Sequence, residues 1–510
     1  MNSRSIENFV ESQRLKEALT AWSLLLGPEH VNLDERALAL ANTATFRTIP
    51  RSVAILNPAD RDEIAACLRI ATSFRIPVYP VSAGHNWGYG SRVPVQSGSV
   101  LLSLARMNRI LDYNEQLAFI TVEPGVTFRH IIQFLQEQNS ELLPPLSGAS
   151  PDASLIGNVL EKGIGKGPYE NMAARSFGYE VVLPSGDIVA DRPDASEFGP
   201  LWQGLLHQSN LGVVTRMSLA LAPAPQLRQQ GVFLLADSRQ LAAAINSLRS
   251  PLLRNPSHLQ AEMMNPYRYL AQTSQFPYDL LGEERALSRE EASRLLQGAL
   301  GPGPGWVGNA TLWADSSDEL HLRAGMLRAW LEPLGITVEL TAPQPGRLAP
   351  VDMTNPLNSA YWRKRQPTTD DLHPDRDGCG VIWITPTLPM LGEAAADFVA
   401  WIENAILGYG LEPTISLRFP DGRRIHAVVG LLYDRQDADM EARALRCHET
   451  VNDMLRAKGL SPYRLNLLNM EQGAADLQAR NPLLTELKQL LDPCGILAPG
   501  KYIQAKEEPL

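Results

Sequence analysis

Residues 81–91 read VSAGHNWGYGS, and residues 154–169 read SLIGNVLEKGIGKGPY. The first places three glycines, a histidine and two aromatics in one turn, directly behind an apolar run. A backbone carrying Gly84, Gly88 and Gly90 has access to positive φ and can bring its N–H groups up to an anion without committing basic side chains. Two such stretches, 84–91 and 157–167, suit a pyrophosphate. Glycines that serve only a tight turn leave the same trace, and a short glycine motif alone is weak. The flanking sequence has to decide.

Upstream, Asn57-Pro58-Ala59-Asp60 predicts a helix start, with Asn57 as the cap, Pro58 at the first helical position and Asp60 at the positive end of the dipole. Ile64, Cys67, Leu68 and Ala71 then recur at helical spacing, and RIPVYPVS reads as an exit into a short buried strand. Downstream, VLLSL (100–104) and FITVEPG (119–125) read as strands, and Thr127 caps the amphipathic FRHIIQFLQEQ. GYEVVLPSGDIV predicts a hairpin turning at Pro184-Ser185-Gly186-Asp187. The order of elements is α+β and not the repeated βαβ of a Rossmann sheet. The strand pattern ends in the proline-alanine run of HQSNLGVVTRMSLALAPAP (207–225), which places a boundary near 223–226. The dense glycine and proline of GPGPGWVG (301–308) predict a loop, and no repeat of fixed period is present.

Bulk properties narrow the classes. At 510 residues the chain exceeds one compact core. Hydrophobic residues at 44% and charged residues at 20% describe a globular protein, without an apolar stretch that would span a bilayer. The charged N-terminal stretch has no apolar signal core, so a cytoplasmic location is expected. The formal net charge is −10 with no basic patch, which excludes nucleic acid as the expected partner. Cys67, Cys379, Cys447 and Cys494 form no CxxC pair and read as scattered reduced core thiols; the histidines of HPD (373–375) and CHE (447–449) lack ligand partners at helical spacing.

Taken in order, PVYPVSAGHNWGYGS, FITVEPGVTFRHI, IGNVLEKGIGKGPY, GYEVVLPSGDIV and QSNLGVVTRMSLALAP resemble the FAD-binding domain of the vanillyl-alcohol oxidase and p-cresol methylhydroxylase flavoproteins. LLYDR (431–435), YRLN (463–466) and DPCGILAPGK (492–501) are similar to the closing segments of the same proteins. The resemblance implies a two-subdomain α+β FAD-binding domain at 1–225, an α+β cap or substrate domain at 226–455, and a C-terminal segment, 456–510, that returns to the first. The implied FAD contacts are Ser82, Gly84, His85, Asn86, Gly88, Gly90 and Ser91 in the first loop, Pro124 and Gly125 after the strand, Gly157, Asn158, Gly163 and Gly165 in the second stretch, Gly212, Val213 and Val214, and Lys501.

In the alkylphenol branch a tyrosine of the GYG loop and a Tyr-Arg pair hold the substrate as a phenolate, which the resemblance carries to Tyr89, Tyr463 and Arg464. An unperturbed phenol ionises near pH ~10, so ionising it at neutral pH calls for a fixed cation and hydrogen-bond donors. Read without the resemblance, Tyr89 is equally an aromatic packed on its loop, and Tyr463-Arg464 an ordinary strand with a surface arginine. The implied reaction is hydride loss from the para α-carbon to the flavin, leaving a p-quinone methide. Asp152 is implied as a base or electrostatic partner. His426 stands as an acid/base group or a satisfied core imidazole, and Lys501 as an FAD contact or a solvated lysine. Related oxidases carry flavin covalently on a histidine at the His85 position, and Val381 stands where vanillyl-alcohol oxidase has its cap histidine, so a single link at His85 is expected; a hydrogen bond to pyrophosphate or carbonyl is the other reading of that histidine. The expected partners are a small phenolic substrate, dioxygen or an electron-transfer protein as acceptor, and a second copy of the chain. Two other functions fit the same motifs: a flavin oxidase or dehydrogenase of an alcohol or other tailoring substrate in secondary metabolism, and a flavin fold retained for binding without turnover.

Overall fold

The computed structural model describes residues 3–49, 51–167, 171–191, 200–255, 259–281, 285–301, 305–347, 355–366, 368 and 371–505. Pro168 and Tyr169 of the second glycine stretch and part of the GPGPG run at 302–304 lie outside the described residues.

Three sheets organise the chain. The first is four-stranded, in the order Val31–Asn32, Ser52–Leu56, Ser99–Ser103, Val78–Val81. Its last three strands are parallel, and the helix Arg61–Phe74 forms the crossover between Ser52–Leu56 and Val78–Val81. That helix starts later than its sequence suggests. The Asp60 carboxylate accepts from the amides of Asp62 and Glu63, so Asp60 is the cap, while Asn57 and Pro58 precede the helix and the Asn57 amide bonds His30. A carboxylate that satisfies two orphan amides outcompetes the neutral Asn57. The helix buries Ile64, Cys67, Leu68 and Ala71 against the sheet and Trp22 of the N-terminal helix. The strand Val78–Val81 is only half-buried, because its outer side opens toward the functional site.

The second sheet is five-stranded and antiparallel, in the order Ile188–Ala190, Ser176–Val182, Val213–Ala220, Phe119–Val122, Ile110–Asn114. Its face is covered by the helix Phe128–Glu137, which Thr127 caps in a capping box with His130. The C-terminal segment is fastened to both sheets. The amide of Val78 donates to the Ile496 carbonyl and that of Ala498 to Val78. Nearby the buried Lys488 ammonium donates to the carbonyls of Asn210 and Leu497 and pairs with Asp492 at 2.7 Å.

The third sheet is antiparallel and nine-stranded, and its two faces differ in kind. One face presents residues such as Ile415, Leu417, Ala427, Val429 and Leu431 to the helices Ser238–Arg254, Ser317–Leu331, Gly392–Gly408 and Ala438–Ala457, forming the largest core of the molecule. The other face carries a polar row. Register places Asn309 opposite Glu262, Glu262 opposite Arg418, Arg418 opposite His426 and His426 opposite Thr387. Because side chains alternate along a strand, this row points away from the helices.

Other local expectations shift as well. Leu155–Leu160 is a short helix capped by Ser154 and not a loop, because the Ser154 hydroxyl accepts the Gly157 amide. Trp306–Gly308 belong to the strand Trp306–Ala314, where apolar side chains bury in the core. Cys494 is exposed, unlike the other three thiols. Among the described residues, no helix is long and apolar enough to cross a membrane.

Candidate active site

The loop after Val81 takes the backbone its glycines suggested. Gly84, Gly88 and Gly90 have φ of 75°, 78° and 125°. Close approach adds a second demand, since a Cβ on Gly88 would lie 2.2 Å from the Trp383 ring and one on Gly90 2.8 Å from Leu467. The loop is pinned from three sides. Gly88 donates to the Thr45 hydroxyl, the Trp383 amide donates to the Gly88 carbonyl, and the Leu467 amide donates to the Tyr89 carbonyl. Tyr89 is thereby fixed between a strand of the third sheet and the segment that carries Tyr463 and Arg464.

That segment is tied in turn. The Tyr463 amide donates to Thr385, the Thr385 hydroxyl donates to the Arg464 carbonyl, and the Gln208 side chain donates to the Tyr463 carbonyl. Tyr463 and Thr385 are polar neighbours of the Tyr89 hydroxyl. Burial pushes the Tyr89 phenol up, against the pull of Arg464, and pushes Tyr463 well up, reinforced by Tyr89. Both phenols are neutral donors at pH 7. The Arg464 guanidinium lies 4.1 Å over the Tyr89 ring and donates to the Asn86 side chain.

Arg464 does not stand as a lone cation. Its Nε lies 3.7 Å from Glu161, whose carboxylate also pairs with Lys501 at 2.8 Å and accepts from the Tyr502 hydroxyl at 2.7 Å. Burial works against the Glu161 charge, but Lys501 and Arg464 prevail and hold the carboxyl down at about 2. Two cations around one carboxylate leave this pole positive. Glu161 sits inside the quoted IGNVLEKG stretch, yet its partners stand at the far end of the chain, which is why sequence reasoning missed it.

These elements enclose a cavity of about 440 Å³ between the two smaller sheets and the polar face of the third. Ser82, Gly84, His85, Asn86, Tyr89, Ser91, Gly157, Asn158, Gly163, Gly212, Val213, Val214, Tyr463, Arg464 and Lys501 all line it. Gly88, Gly90, Pro124, Gly125 and Gly165 lie behind the wall and shape it. The Pro124 carbonyl accepts from Ser154, and a Cβ on Gly125 would meet three carbonyl oxygens of the chain crossing it. Asp152 is not on the cavity lining. It makes a bidentate pair with Arg129 at 2.7 and 2.9 Å, which lowers its pKa. His426 is also behind the wall, stacked on the Tyr463 ring at 4.4 Å, and burial lowers it to about 4, so it buttresses Tyr463 as a neutral ring.

His85 reaches the cavity with its ring stacked on Trp87 at 4.6 Å and edge-on to His373 at 5.4 Å. Burial, with His373 and Arg92 nearby, lowers it to about 4, and its buried Nδ1 has no partner. Asn158 likewise carries a buried carbonyl oxygen without a partner. Buried polar atoms are nearly always paired, so orphans on a cavity wall point to a polar group held there. With the positive-φ loop and Lys501, they fit a dinucleotide cofactor. The third sheet contributes Glu262, Asn309, Trp383, Ser416 and Arg418, and the helix beside it Arg268. None of these was legible beforehand.

A family model described as an FAD binding domain matches residues 53–191. The chain is 35% identical to the 1'-carboxy-chondrochloren decarboxylase of Chondromyces crocatus, over 97% of this chain and 98% of that protein. It is 24% identical to the flavoprotein subunit of 4-cresol dehydrogenase (hydroxylating) of Pseudomonas putida, over 98% of each. The fold matches a solved structure of p-cresol methylhydroxylase with substrate bound, with a TM-score of 0.87, 22% identity and 98% of each chain covered.

Proposed function

The chain belongs to the p-cresol methylhydroxylase family of FAD-linked oxidoreductases, and from that premise we propose that it oxidises the para α-carbon of a 4-substituted phenol. The observation that carries this reading is the cluster of Tyr89, Tyr463 and Arg464 on the cavity wall, with the guanidinium 4.1 Å over the Tyr89 ring. Bound FAD supplies the acceptor for a hydride. The chain's own residues do the rest. Two neutral tyrosine hydroxyls and the positive Arg464–Lys501 pole lower the pKa of a phenol placed against them. The resulting phenolate pushes electron density through its ring, which weakens the α-carbon C–H bond, and loss of the hydride leaves a p-quinone methide. The backbone of 84–91, Asn158 and Lys501 hold the cofactor, and His85, a neutral imidazole with a free ring nitrogen, is the residue we assign to covalent attachment.

A second reading concerns the fate of the quinone methide. Addition of water needs a base at the α-carbon, and Asp152 is bound to Arg129 away from the lining. If the neighbouring side-chain carbon bears a carboxylate, its C–C bond can break instead. CO2 leaves, the electron pair forms the side-chain double bond, and the ring returns to phenolate. The Chondromyces relative, a decarboxylase by name, favours this outcome.

Anaerobic titration of the FAD-loaded protein with 4-alkylphenols, 4-hydroxybenzyl alcohols and 3-(4-hydroxyphenyl)propanoate, followed by visible absorbance, tests the proposal. Bleaching by at least one phenol is expected, and admitting air then shows whether dioxygen is the acceptor. Arg464→Ala should slow bleaching about 100-fold or more while retaining FAD, as loss of charge stabilisation costs roughly 3 kcal/mol. Undiminished bleaching in that variant would remove the phenolate step. Product masses separate hydroxylation from release of CO2.

A further inference from the structure

The cavity has a second pole, opposite in character to the tyrosine pair. Arg268 projects from the helix Pro266–Thr273, which begins at the end of the strand Leu259–Met264 and is capped by the buried Asn265 side chain. The arginine is 5% exposed and lines the same cavity as Tyr89 and Tyr463. One of its terminal nitrogens donates to the Ser359 hydroxyl at 3.1 Å, and its guanidinium carbon lies 5.2 Å from the Trp383 ring centroid. Its Nε has no partner, and no carboxylate of the described residues lies within ion-pair distance of it.

Burying a guanidinium without an anion costs several kcal/mol, so the fold must gain something in return. The hydroxyl and the indole face orient the group without neutralising it. Glu262 is the acidic residue of the polar row, and it stands directly opposite Arg418. Arg268 itself has no carboxylate of the described residues at ion-pair distance, which leaves its guanidinium to face the cavity. Arg268 and the tyrosine pair line one cavity of about 440 Å³, so one small molecule can reach both poles.

We propose that Arg268 is a substrate-binding residue for a carboxylate on the para side chain, making the substrate class 4-hydroxyphenyl-alkanoates. The assignment rests on the phenol reading above and specifies its other end. Planar bidentate pairing of guanidinium with carboxylate provides both affinity and orientation.

The test is equilibrium binding to the FAD-loaded protein by calorimetry, using 4-hydroxycinnamate, its neutral isostere 4-hydroxycinnamamide, and cinnamate. Their α-carbons are unsaturated, so binding is read apart from turnover. The wild type should bind the acid about tenfold or more tighter than the amide, the scale of a hydrogen bond to a charged group. Arg268→Gln should abolish that preference and leave amide affinity within about twofold, and Arg268→Lys should restore part of it. Equal affinity for acid and amide in the wild type, or a preference that survives Arg268→Gln, overturns the proposal. The wild-type comparison needs no variant to fold. Cinnamate binding as tightly as 4-hydroxycinnamate would overturn the phenol pole alone, so the two failures are distinguishable.

Discussion

Arg363 and Arg268 are both buried arginines of the third-sheet region, and they are treated in opposite ways. Arg363 is 0% exposed, makes a bidentate pair with the equally buried Glu412 at 2.5 and 3.0 Å, and stacks on Phe276. Glu412 in turn accepts from the Leu287 amide and the Trp362 indole. Arg268 has a serine hydroxyl and an indole face, and among the described residues no carboxylate lies within ion-pair distance of it. Two histidines repeat the contrast. His448 is 3% exposed, with its Nε2 met by the amides of Asn452 and Asn466. His85 leaves its Nδ1 unpartnered at the cavity. A buried polar group whose partners are internal serves the fold, whereas one left short of a partner on a cavity wall serves what enters the cavity.

The comparison is most exposed to Glu412→Ala, which strands a buried guanidinium and should cost about 3–5 kcal/mol in denaturant unfolding. Arg268→Gln, which removes a cation with no carboxylate of the described residues at ion-pair distance, should leave stability unchanged or slightly raised. A large loss there would place Arg268 with the structural group.

His448 gives the next effect. Burial lowers it to about 4 from the ordinary 6.5. Between those pH values the unfolded chain binds the proton that the folded imidazole refuses, so stability is full above about pH 6.5 and falls as pH drops toward 4. The share of His448 is up to about 3 kcal/mol. Urea titrations at pH 7.5 and 4.5 should show the loss, and His448→Gln should reduce it by that share; an unchanged slope would assign the acid sensitivity elsewhere.

His85→Ala is expected to change stability by no more than about 1 kcal/mol, because the ring has few bonds to lose. Its consequence is chemical. Denatured wild type should retain flavin fluorescence on the polypeptide, and the variant should release it. Retention by the variant would move the link to another residue.

Much of the site was legible because it is built from short contiguous segments. The glycines at 84, 88 and 90 announced a left-handed backbone, and the Tyr-Arg pair stood out beside the C-terminal motif. Sequence order says nothing of the bidentate contact that Asp152 makes with Arg129, which lies on the helix that Thr127 caps. Asn57 was misjudged because Asp60, three residues on, is the better acceptor.

The sequence by itself determined the α+β class and the positive-φ glycine loop, and it singled out Tyr89, Tyr463 and Arg464, which line the cavity, since each depends on local backbone conformation or on a side chain's own chemistry. Tertiary structure alone decided the charge balance. Glu161 acquires meaning only when Lys501, Tyr502 and Arg464 arrive from the C-terminal segment. The row Asn309, Glu262, Arg418, His426 exists only through strand register, and a slip of one residue would turn it into the core. Pairing across an antiparallel sheet joins residues far apart in the chain, and nothing local records which will meet.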